Sequence, residues 1–148
     1  MNSTGTAASL EVRGVPGETN DTLSVEINGA PALSVAILAS GDLQLPANPT
    51  NPCFSLGSGV AAGSLDGLRC IGGNLMRHGV RLVDTNGDVG LTNAGWGGDS
   101  DALGTLTAQG SFVAGQPRHF QVYYTESTAV NCGNGWNTTQ GTCVTFIP

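Results

Sequence analysis

A chain of 148 residues with 23 glycines, 7 prolines and only 11% charged residues is the length of one ordinary domain, rich in turn formers and poor in material for long helices. Its formal net charge of −6, with arginines scattered from Arg13 to Arg118 and no lysine, repels phosphate backbones and argues against a nucleic-acid partner. No apolar run approaches the ~20 residues needed to cross a bilayer, the longest being Val35-Ala36-Ile37-Leu38-Ala39, so membrane insertion is not expected.

Residues 1 to 7 are polar and carry no secretory leader pattern; they read as a flexible arm or linker ahead of a single domain over 8 to 148. Alternation with period two then recurs at Leu10/Val12, Leu23/Val25/Ile27, Leu33/Val35/Ile37, Val80/Leu82, Leu103/Leu106, Phe120/Val122/Tyr124 and Val144/Phe146. Turn clusters separate these runs, among them Asn28-Gly29-Ala30-Pro31, Asp84-Thr85-Asn86-Gly87 and Gly97-Gly98-Asp99. The pattern predicts an all-β antiparallel sandwich, jelly-roll or immunoglobulin-like, of about eight to ten strands. Two segments break the alternation: Leu45 to Gly73, heavy in Pro and Gly, and Asn131 to Gly141 around Trp136.

Cys53, Cys70, Cys132 and Cys143 are even in number, form no CxxC and frame those two excursions, which predicts disulfide-stapled loops in an oxidising compartment. Local pairing, Cys53 with Cys70 and Cys132 with Cys143, would contribute about 3 kcal/mol per bridge, although three connectivities are open. A structural zinc site is the rival, but neither His78 nor His119 supplies a closely spaced ligand pair.

Asp84, Asn86 and Asp88 place oxygen ligands at alternate positions, the opening of a Ca2+ loop; Val89 and Gly95 then occupy positions where such a loop wants Gly and a bidentate acid. Asn86-Gly87 between apolar runs is itself a type I′ hairpin signal. Trp96 and Trp136, in Gly- and Asn-rich loops, and Tyr124 are the candidate ligand-contacting aromatics, since exposed rings beside amides grip sugars; the plainer reading makes each tryptophan a cap on the core. His119 belongs to a run whose second face also carries Gln121 and Tyr123, and no nucleophile elbow accompanies it. A hydrolase would need His78 or His119 beside a carboxylate such as Asp99 or Asp101.

Leu65-Asp66-Gly67-Leu68-Arg69-Cys70-Ile71-Gly72-Gly73, with Arg77 following, and Val113 through Tyr124 together resemble two blocks of a β-sandwich domain of unknown function found in secreted planctomycete and myxobacterial proteins. Cys132, Trp136-Asn137-Thr138-Thr139 and Val144-Thr145-Phe146 stand where that family has a Cys, an Asn-Thr segment and a terminal strand. Thr125-Glu126 replaces its Arg-Asp pair and Trp136 its Phe, so no role passes to those positions. The resemblance implies an exported sandwich attached to larger surface proteins. It also puts Cys70–Cys132 with Cys53–Cys143 on an equal footing with local pairing, and it transfers no catalytic residue.

The expectation is therefore a secreted or cell-surface, non-enzymatic structural or adhesive module, self-assembling as an oligomer or fibre through an exposed edge or the N-terminal arm, with no cofactor beyond the Ca2+ option. A carbohydrate-binding module contacting surface glycans is the alternative.

Overall fold

The structure, a computed structural model, describes residues 2–45, 69–98, 100–126 and 135–148. The described elements run in the order β1 (Ser9–Arg13), β2 (Ser24–Asn28), β3 (Val35–Gly41), β4 (Leu43–Gln44), β5 (Ile71–Gly72), β6 (Met76–Leu82), β7 (Trp96–Gly97), α1 (Leu106–Gly110), β8 (Pro117–Thr125), β9 (Trp136–Thr138) and β10 (Thr142–Thr145). The described residues are thus mostly antiparallel β-sheet with one short helix. That helix replaces the strand expected at Leu103/Leu106. Thr105 caps it by accepting the Ala108 N–H, and Ser111 closes it in a left-handed conformation.

Strands β1-β2-β7 form one sheet and β10-β8-β3-β6 another, with β9 also pairing β8; β4 and β5 form a small ribbon. One apolar cluster joins the two larger sheets. Leu10, Val25 and Ile27 from the first meet Leu38, Phe120, Val122 and Tyr124 from the second, and Trp96, Phe112 and Phe146 fill the space between. Each core aromatic brings a large area out of water and carries much of the hydrophobic term.

Two one-residue bulges shape the larger sheet. In β6, His78 and Gly79 together oppose Leu38, because Ile37 pairs Val80 while Ala39 pairs Arg77. Opposite β8, Tyr123 pairs Thr138 but Phe120 pairs Thr142, so Thr139, Gln140 and Gly141 face only Gln121 and Val122. The buried Gln121 amide bridges that irregularity, donating to Thr139 O (2.8 Å) and accepting the Cys70 N–H (2.9 Å).

The N-terminal segment is not a loose arm in its described part. Asn2 is buried, donates its side-chain amide to Gly29 O (2.7 Å) and turns residues 2 to 6 back on themselves, while Ser3 N donates to Glu126 (3.0 Å). A polar segment can dock in this way because its backbone groups find partners on two other elements.

No disulfide forms among the described residues: Cys70 is partly buried, Cys143 is exposed, and the two are not bonded to each other. Cys53 and Cys132 lie outside the described residues, as does Asp99, so the structure gives no support to stapled loops.

Candidate interaction face

In β3, the side chains turned inward are Ala36, Leu38 and Ser40, all fully buried, whereas Val35 and Ile37 lie on the opposite face. In β6 the outward residues are Val80 and Leu82, 57% and 59% exposed. In β8, Phe120, Val122 and Tyr124 point in, leaving Tyr123 and Thr125 outward. Register assembles these into two rows. Val80 pairs Ile37, Ile37 pairs Tyr123 and Tyr123 pairs Thr138. In the next row Leu82 pairs Val35, the Val35 N–H donates to Thr125 Oγ1 (2.9 Å), and Thr125 pairs Trp136. None of these eight positions is charged.

Leu33 lies just before β3, at the aliphatic end of the sheet. Its N–H reaches Val83 O (3.1 Å), which sets its backbone against the chain leaving β6, and its side chain is 64% exposed. Its backbone is left-handed, with φ at 59°, a conformation that costs a bulky side chain energy.

The opposite end of the same outer face is covered. At Asp42 the β3–β6 hairpin bends, its carboxylate accepting the Asn74 N–H (2.9 Å) and side-chain amide (2.7 Å), bonds that hold the carboxyl below its ordinary pKa. Beyond the bend, β4 and β5 fold over Gln121. Gly141 permits that closeness, since a Cβ there would lie 2.9 Å from Cys70 Cβ. Beside this cover is a depression of about 280 Å3 lined by Gln44, Leu45, Cys70, His119, Gln140 and Cys143, with His119 directly opposite Cys143 across the β8–β10 pairing. No carboxylate among the described residues lines it to orient the imidazole.

The other residues singled out from sequence have structural partners. Trp96 and Tyr124 are core residues, 0% and 1% exposed, so neither offers a ring to solvent. Trp96 Nε1 donates to Gly79 O (3.0 Å), and burial pushes the Tyr124 hydroxyl up to about 12. Of the three candidate aromatics only Trp136 remains partly open, and its companion on the face is Tyr123, whose hydroxyl burial also raises to about 12. Tyr123 was legible in the alternation of β8; Leu33, Val80 and Leu82 were hidden by the assumption that large apolar residues face inward.

Asp84 spends its carboxylate on the turn itself. One oxygen accepts the N–H groups of Asn86 (2.8 Å) and Asp88 (3.0 Å), the other the Thr92 hydroxyl, and the Thr92 bond leads in holding its pKa below the ordinary value. The turn is not type I′, because only Gly87 is left-handed (φ 91°); Asp84 O accepts the Gly87 N–H and Asp88 O the Asp84 N–H, a tight turn closed by a glycine bulge. Among the described residues no three His, Cys, Asp or Glu side chains group as a metal site.

The histidines and Asp101 do not assemble a triad. His78 lies in the core, its Nε2 2.7 Å from Ser40 Oγ and its ring against Phe112 and Phe120 (centroids 5.7 and 5.8 Å). Burial drives its pKa down to about 4. Asp101 takes Arg81 at 2.5 Å and the N–H groups of Gly97 (2.7 Å) and Leu103 (2.9 Å). Burial alone would raise its pKa, but these donors hold it below the ordinary carboxylate value.

Comparison of the chain with family models, curated proteins and solved structures finds no match.

Proposed function

We propose that this protein is a non-enzymatic, extracellular structural or adhesive β-sandwich module that works by surface contact through the outer face of its larger sheet. One observation carries the reading: two in-register rows without a charge, ending in aliphatic side chains more than half exposed, on strands whose inner faces are already filled. Exposed apolar surface of this kind carries a standing solvation cost and marks a contact site. The resemblance to domains of secreted surface proteins supports the extracellular setting, and oxidation of the four cysteines to disulfides belongs to the same proposal.

Carbohydrate binding is the second reading. It is favoured by Trp136 and Tyr123 sharing the face, both partly exposed, since flat rings can stack on sugars.

Beads coated with the protein should adhere to apolar surfaces. The double variant Val80→Glu with Leu82→Glu should abolish adhesion while leaving the unfolding temperature within a few degrees of wild type. Adhesion that survives the double variant overturns the reading. Loss of polysaccharide retention in Trp136→Ala, with the aliphatic pair silent, transfers the face to carbohydrate binding.

A further inference from the structure

We infer that the aliphatic end of this face, Leu33 with Leu82 and Val80, is a self-pairing surface on which two copies of the chain pack sheet against sheet. The inference rests on the reading of the face as a contact surface and names its occupant.

Three features of the face select a second copy. The first is charge. A chain of formal net charge −6 presents eight adjacent positions with none; Arg81 of β6 is turned inward to Asp101, and the exposed Arg77, opposite Ala39, lies beyond the two rows on the same side of the sheet. A charged partner would meet no counter-charge within the two rows, whereas an identical uncharged face is its own complement under a two-fold axis. The second is polarity. The Thr125 hydroxyl already accepts the Val35 N–H, and Leu33, Val80 and Leu82 supply no hydrogen-bonding group, so this end offers little to the hydroxyls of a sugar. The third is area. Three aliphatic side chains more than half exposed and six partly buried neighbours offer roughly 500 Å2 per copy, so a pair would bury about 1,000 Å2, the floor for a specific interface. That predicts a weak, reversible dimer rather than a permanent one. Twisted sheets pack in this way at about 10 Å with their strands nearly aligned.

Leu33 adds an independent sign. An exposed leucine held at φ 59° is strained where Asn or Gly would be relaxed, and strained backbone concentrates at sites of function. Its hydrophobic side chain contributes nothing to the fold that would offset this, because it packs into no core.

Sedimentation velocity over a concentration series up to about 1 mM tests the pairing directly, with a dissociation constant on the order of 10–100 μM expected for the wild-type chain. Leu33→Asn should raise the unfolding temperature and weaken association at least tenfold, a combination that a purely structural leucine does not produce. Val80→Glu should abolish association with the fold intact by circular dichroism. A wild-type chain that stays monomeric throughout the series, or association unchanged in both variants, overturns the inference. Monomers that still adhere to surfaces would leave the adhesive function standing and remove the self-pairing alone; dimers without adhesion would do the reverse.

Discussion

The two faces of strands β3, β6 and β8 are made from the same few residues of chain, yet in β3 they reverse the usual order of size. Inside are Ala36, Ser40 and His78 beside Leu38, Phe120, Val122 and Tyr124; outside are Val35, Ile37, Val80, Leu82 and Tyr123. The reversal follows from what the rest of the chain contributes. Trp96, Phe112 and Phe146 occupy the space between the sheets, so β3 has room inside only for a methyl, a hydroxyl and one leucine. The largest available side chains are therefore not always the buried ones. Burial goes to those that fit what the opposing elements leave open.

Substitution on each face should expose this difference at once. Phe120→Ala on the inner face is expected to cost about 3–5 kcal/mol, from lost transfer energy and the cavity it opens among Phe112, His78 and Val122. Leu82→Ala, two strands away on the outer face, should stay within about 0.5 kcal/mol in dilute solution. Urea unfolding of the two variants measures both. Comparable losses would mean that the outer face is covered in the isolated chain and is not a contact surface.

Acid should sharpen the contrast, because the inner face holds a buried imidazole. His78 is packed against Phe112 and Phe120, with Arg118 and Asp101 as its nearest charges, and its folded pKa of about 4 lies below the ordinary 6.5. The unfolded chain therefore takes up the proton first. The stabilisation is complete above about pH 6.5, falls away as the pH drops towards about 4, and amounts to about 3 kcal/mol in total. Carboxylates such as Asp101 lose their contribution at lower pH, below their ordinary value of 3.8. His78→Leu should flatten the stability profile between pH 6.5 and 4 specifically, and an unchanged slope in that window would show that another group carries it.

Strand positions were legible because period two is imposed by the pleat, and β1, β2, β3, β6, β8 and β10 all fall on runs that alternate. Face assignment was less so. Val35-Ala36-Ile37-Leu38-Ala39 is apolar at every position, so alternation within it cannot say which half is core. Leu103 and Leu106 stand three apart, a helical spacing, and Thr105 as a capping residue was the signal for α1. Trp96 looked exposed because its neighbours are glycines. Gly97, at φ 75° and packed against Leu23 O and Leu106, is what lets the chain turn there with the ring inside. The docked arm depended on Asn2 meeting Gly29, a contact between residues with no shared pattern.

The smallest effect separates structure from function most cleanly. Leu33 is left-handed, and relaxing a bulky residue out of that region recovers strain of order 1–2 kcal/mol, part of which is lost again because the replacement frees the unfolded chain. Leu33→Asn should therefore stabilise the monomer by about 0.5–1 kcal/mol in thermal or urea unfolding at low concentration, since asparagine tolerates this backbone and no core contact is given up. The sign matters more than the size. A residue retained for folding destabilises the fold when removed, whereas one retained for contact at an energetic cost to the monomer stabilises it. Loss of stability in Leu33→Asn would place the leucine among the fold's own supports and take the strained tip out of the contact surface.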